Sequence, residues 1–208
     1  MATKSEKIRV VAEDLRGGRR VTDLRFDQVY APPVRSLSET HWTPVEVAIR
    51  AAELLVMSEQ TKVLDVGAGS GKFCIVGALS SRGQFIGIEQ RERLVEAARS
   101  AAAETGASQA SFITGNMADL DWTVFDAFYL FNPFYENRLK SIRIDDTVSH
   151  SQERFSRYIE IVRAKLRDAR AGTKVATYHG FGGDLPSEYC LLQREPIGMS
   201  ALEIWFKK

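Results

Sequence analysis

The chain has 208 residues, 44% of them hydrophobic and 26% charged, a size that suits one α/β domain with a real core and excludes a catalytic domain joined to a large recognition domain. Its formal net charge of +1 excludes the overall basic field that supplies non-specific nucleic-acid affinity. Cys74 and Cys190 are the only cysteines, no Cys/His cluster has metal-ligand spacing, no apolar run reaches membrane-spanning length, and the N-terminus lacks the layout of a secretory signal. These features set the expectation of a reducing, cytoplasmic compartment with neither metal nor membrane insertion.

Residues 1–40 are polar and arginine-containing, broken by Gly17-Gly18-Arg19-Arg20 and by Pro32-Pro33, and read as an irregular arm or lid ahead of a domain spanning 41–208. Thr43-Pro44-Val45-Glu46 has the form of a capping box, predicting a helix from about Pro44 to Leu55. Lys62–Val66, Gln84–Glu89, Ala110–Thr114 and Ala127–Phe131 are β-rich apolar runs separated by helical or turn-rich sequence. Arg91–Ala103 is helical by composition and stops at Gly106. A further helix is predicted between Ser149 and Arg170, with Phe155, Ile159, Val162 and Leu166 on one face and Ser149 with Gln152 as its capping box. Lys174–Tyr178 is the fifth strand, and Tyr189–Gln193 with Leu202–Phe206, joined by a turn at Glu195-Pro196-Ile197-Gly198, form an antiparallel pair. Alternating strands and helices predict a mostly parallel sheet covered by helices on both faces, an α/β fold in three layers.

The first strand runs into Asp65-Val66-Gly67-Ala68-Gly69-Ser70-Gly71, where glycines let the backbone turn tightly against a ligand and the following helix directs its positive end to the same point. A dinucleotide fingerprint needs its third glycine where Lys72 stands, and a P-loop needs Gly at 66 and Ser or Thr at 73, where the chain has Val66 and Phe73. Both NAD and ATP are disfavoured. The G-x-G-x-G run, with Asp65 two positions before its first glycine, resembles the first motif of class I S-adenosylmethionine (SAM)-dependent methyltransferases. That resemblance covers Thr43–Lys208 and implies the Rossmann-like methyltransferase fold, a seven-stranded sheet with an antiparallel last strand.

The resemblance also implies a cofactor constellation. Asp65 would face the cationic methionyl end beside Gly67, Ala68, Gly69 and Gly71. Glu89, with Gln90 next to it, ends the second strand, where a carboxylate can accept both ribose hydroxyls. Asn116 and Met117 follow the third strand in the place of the residues that bond the adenine amino group and cover its ring. His41-Trp42-Thr43-Pro44 resembles the F-x-T-P segment of amino-group methyltransferases, in which Thr43 would contact the methionine carboxylate; the capping box explains the same residues without a ligand.

Asn132-Pro133-Phe134-Tyr135 follows the fourth strand and resembles the N-P-P-Y motif of enzymes that methylate amide or aromatic amino nitrogens. By that resemblance the Asn132 side chain and the Pro133 carbonyl accept hydrogen bonds from the target amine, and Tyr135 stacks on a planar acceptor. Phe134 departs from the pattern, which weakens any transfer of substrate by analogy. His179, after the fifth strand, has the chemistry to bind substrate or take a proton. Arg138, Lys140 and Arg143 are followed at once by Asp145 and Asp146 and read as a solvated mixed-charge loop. The expected activity is N-directed methyl transfer to a protein side chain or small molecule; the alternatives are a SAM-binding partner subunit without catalysis and a nucleic-acid base methyltransferase.

Overall fold

A computed structural model describes residues 3–138 and 140–208. Seven strands, β1 (Lys62–Val66), β2 (Gln84–Glu89), β3 (Ala110–Thr114), β4 (Ala127–Leu130), β5 (Lys174–Tyr178), β6 (Tyr189–Ile197) and β7 (Ser200–Lys207), form one sheet in the order β3-β2-β1-β4-β5-β7-β6. The first five are mutually parallel, while β7 runs antiparallel to both β5 and β6. Helices α1 (Lys4–Arg16), α2 (Asp23–Phe26), α3 (Pro32–Arg35), α4 (Ser38–His41), α5 (Val45–Leu55), α6 (Lys72–Ser80), α7 (Glu92–Thr105) and α8 (Gln152–Asp168) surround it.

Strand periodicity explains the two helical layers. Val63, Ala127, Tyr129 and Ala176 pack with α1, α5, α6 and α7 in one core, while their neighbours Leu64, Phe128, Leu130 and Val175 pack with Tyr158, Val162 and Leu166 of α8 in a second. Central strands buried on both faces therefore read as continuous apolar runs, and helices must cover both sides. The chain order reverses between β1 and β4, so the loops leaving their C-terminal ends splay apart and leave a crevice.

Several expected details are corrected. Residues 3–40 are not irregular: α1 opens with a capping box between Thr3 and Glu6 and buries Ile8, Val11, Ala12 and Leu15 in the first core. The Thr43 capping box is absent. Helix α5 starts after Pro44 with no local side-chain cap, and the Val45 N–H donates instead to Asp23 Oδ1 at 2.9 Å. A distant carboxylate supplies the acceptor that the local pattern promised. Helix α8 is capped by Ser151, which accepts from Arg154 N–H at 3.1 Å, not by Ser149. The tail strands extend through the expected turn, because the hairpin reverses at Gly198-Met199, where Gly198 has φ +58°.

Candidate active site

A cleft of about 370 Å³ lies over the crevice and is lined by Asp65, Gly67, Ala68, Gly69, Glu89, Gln90, Met117, Asn132, Pro133, Tyr135, His179 and Thr43 among others. Residues far apart in sequence thus meet because each closes a neighbouring parallel strand or approaches from the N-terminal segment. Gly71 and Asn116 are not among its lining residues. A Cβ on Gly71, at φ +76°, would come within 2.4 Å of the Phe112 ring, so this glycine serves the packing of the loop against β3. Asn116 caps the turn at Met117–Asp119 by accepting from Ala118 N–H at 3.0 Å, and its amide donates to the Tyr158 hydroxyl at 3.0 Å. That side chain belongs to a separate cleft with Arg154, Arg157 and Tyr158.

Two buried carboxylates flank the glycine turn. Asp65 is buried, and burial raises its pKa to about 7, with Glu89 adding to the rise and the Cys74 thiol, 3.6 Å away, opposing it. A buried acid that has no cationic partner among the described residues suits a ligand that brings a positive charge. Glu89 is also raised by burial; its Oε2 accepts from Gly69 N–H at 3.2 Å and its Oε1 from Arg91 N–H at 2.9 Å. The glycine turn and the end of β2 are therefore pinned together. At Gly67 an added Cβ would lie 3.0 Å from Pro133 Cβ, so the turn also touches the loop after β4.

On the other side, Asn132 has φ +43° and His179 φ +61°, left-handed conformations uncommon for residues with a side chain. The two loops are laced by a bond from Asn132 N–H to Gly180 O at 2.8 Å. Among the described residues nothing hydrogen-bonds the Asn132 side-chain amide. Phe134, the departure from N-P-P-Y, is a core residue: it is buried against the Tyr158 ring, centroids 5.1 Å apart, and anchors the loop by packing where a proline would stiffen it. Tyr135 is exposed on the rim with the Arg138 guanidinium 5.8 Å from its ring. His179 lies against Phe131 and Tyr178, and burial lowers its pKa, favouring the neutral ring.

Local patterns missed how the N-terminal segment is fastened to the cleft. Lys72, at the start of α6, is buried and places Nζ 2.6 Å from Asp23, 2.8 Å from Asp27 and 3.1 Å from Ser38 Oγ, tying the N-terminal segment to the glycine turn. Tyr30 adds a bond from its hydroxyl to Ser70 O at 3.0 Å and packs on Trp42, centroids 4.9 Å apart. Thr43, expected as a ligand contact, lines the cleft and holds its hydroxyl 3.0 Å from Tyr129 OH, with Trp42 beside Gly69. His41 and His150, with His179, bring all three histidines of the chain to this one cleft. Only the α1 pattern was readable locally, from Thr3 and Glu6 at capping-box spacing and apolar residues at 8, 11, 12 and 15.

A search of curated proteins finds no match. The family described as methyltransferase domain matches residues 57–171, more than half of the chain. An RNA methyltransferase from Salinibacter ruber, solved in complex with S-adenosyl-L-homocysteine, is 21% identical with a TM-score of 0.58, covering 80% of this chain and 94% of that one. TrmN from Thermus thermophilus is 18% identical with a TM-score of 0.59 over 84% of this chain, which spans 52% of TrmN's length. Both likenesses concern the fold. With a sheet of that topology, a glycine turn between two buried carboxylates and a family match that covers both, the chain belongs to the methyltransferase domain family and is a SAM-dependent methyltransferase of Rossmann-like fold.

Proposed function

We propose that this enzyme transfers the methyl group of SAM to a nitrogen, with Asn132 and Pro133 holding the acceptor. The observation that carries the reading is the side-chain amide of Asn132, free of hydrogen bonds among the described residues and facing the same cleft as Asp65 and Glu89. SAM supplies an activated methyl on a sulfonium, so the reaction needs orientation and charge placement more than a covalent nucleophile. Asp65 would attract the cationic methionyl end, Gly67, Ala68 and Gly69 would let the backbone approach it, Glu89 with Gln90 would take the ribose, and Met117 would cover the adenine. Gly71 and Asn116 act one layer back, through Phe112 and Tyr158 respectively, while Thr43 lines the cleft with its hydroxyl bonded to Tyr129.

For the acceptor, the Asn132 oxygen and the Pro133 carbonyl accept hydrogen bonds from the amine and orient its lone pair. His179, neutral near pH 7, takes the proton released as the nitrogen gains its methyl. The near-zero net charge supports a protein side chain or a small molecule in a cytosolic setting. A second reading, a nucleic-acid base, is favoured by the exposed Tyr135 ring with Arg138 beside it, a stacking platform with a cation. Incubation with labelled SAM and cell extract divided into protein, RNA and metabolite fractions separates these, since one fraction should take up label. Asn132→Ala should keep SAM affinity within about twofold in titration calorimetry while turnover falls ~100-fold; an active variant removes Asn132 from the chemistry.

A further inference from the structure

The guanidinium of Arg91, one residue beyond the β2–Gln90 junction, is 7% exposed and meets three carboxylates. Its Nε donates to Asp145 Oδ1 at 2.9 Å, one Nη to Glu136 Oε2 at 2.8 Å, and the other lies 3.6 Å from Glu89 Oε1. Glu136 Oε2 accepts in turn from Ile144 N–H at 2.8 Å, and Asp145 accepts from the Thr147 hydroxyl at 2.6 Å and from Arg93 at 2.5 Å. Burial alone would raise the Asp145 carboxyl, but the bonds from Thr147, Arg91 and Arg93 hold it well below the usual carboxylate range.

These bonds carry an unusual burden. Residues 140–150 contain no helix or strand, yet Ile142, Ile144, Val148, Ser149 and His150 form one wall of the cleft. A segment without a backbone ladder is held by its side chains, and here Arg91 is the buried cation among them, with Arg93 and Arg154 adding bonds to Asp145 and Ser149 nearer the surface. That cation also contacts Glu89, whose two oxygens fix the glycine turn.

We propose that Arg91 is a positioning residue for methyl transfer: it joins the ribose-side carboxylate Glu89 to the 140–150 wall, so that the cofactor pocket and its cover form as one unit. The inference rests on the SAM reading of the cleft. It follows that loss of the wall's anchor weakens cofactor binding even when the lost group lies outside the pocket. Asp145 is such a group, since it does not line the cleft and touches neither Glu89 nor the glycine turn.

The test measures SAM and S-adenosylhomocysteine affinity by calorimetry and trypsin cleavage after Lys140 and Arg143, in wild type, Asp145→Asn, Arg91→Met and Arg91→Lys. Near-UV circular dichroism checks that each is folded. Asp145→Asn should lose roughly fivefold in SAM affinity and Arg91→Met roughly tenfold or more, with Arg91→Lys between wild type and Arg91→Met, because an ammonium keeps the charge but not the fork. Cleavage should quicken in the same order, and S-adenosylhomocysteine should slow it in wild type. Variants that are cut faster yet bind SAM like wild type overturn the coupling, as do variants that change neither property. If Arg91→Met does not fold, Asp145→Asn decides alone. Wild type that binds no SAM overturns the functional reading itself, an outcome distinct from equal binding by wild type and variants.

Discussion

Asp65 sits in an apolar strand where ionisation is costly, and its pKa of about 7 puts that cost inside the physiological range. A raised pKa means the folded state holds the proton more tightly than the unfolded chain. The stability Asp65 contributes is therefore complete below its unfolded pKa of about 4 and is lost as pH rises through about 7. Glu89 is raised by burial as well and carries the same sign, so its contribution also falls as pH rises. A cationic ligand favours the ionised form of Asp65. SAM affinity should thus rise about fivefold from pH 6 to pH 7 and about twofold more by pH 8, levelling off above, as the proton held by Asp65 is displaced on binding. In Asp65→Asn the affinity should be lower and its pH dependence flatter, and the slope of stability against pH should shrink. Calorimetry and urea titrations at pH 5 to 8 check both. An unchanged pH profile in Asp65→Asn would assign the titration to another group.

Helix α6 begins with a cation where its macrodipole is already positive, an unfavourable placement in isolation. Asp23 and Asp27 offset it, and in doing so fasten α2 and the turn that follows it to the glycine loop. Lys72→Met removes the cation and leaves the buried Asp27 without its partner, which should cost about 3–5 kcal/mol in urea unfolding. Lys72→Met combined with Asp27→Asn should recover part of that loss; if the double variant is no better, the contribution of Lys72 lies in its packing over Phe26. The strands were readable because local and global demands agree. Lys62–Val66, Gln84–Glu89, Ala110–Thr114 and Lys174–Tyr178 are short apolar runs between turn residues, and the sheet pairs them at those bounds. β4 stops one residue short of Phe131, where the chain turns left-handed at Asn132. The helix starts at α5 and α8 were less readable, because the α5 cap comes from Asp23 and the α8 cap from a serine two positions along.

Across the whole molecule, the N-terminal segment shares a single core with the sheet face that carries α5, α6 and α7. Deleting residues 1–20 would expose the surface now covered by Ile8, Val11 and Leu15, each worth about 1.5–3 kcal/mol. At about 2–4 °C per kcal/mol for a protein of this size, the melting temperature should fall by at least roughly 10 °C. A fall of only a degree or two would mean that the segment behaves as a detachable cover. The glycine spacing, the acid before it and the order of strand-end residues already identified the methyl donor, because a parallel sheet brings successive strand ends together whatever the intervening helices are. How those residues are held was decided by packing: Gly71 lies against Phe112, Asn116 bonds Tyr158 and Thr43 bonds Tyr129, while Arg91 and Lys72 are turned inward with partners more than 30 residues away in sequence. No local pattern records such pairings, since a buried charge is tolerated only where distant chain segments happen to supply its counter-charge.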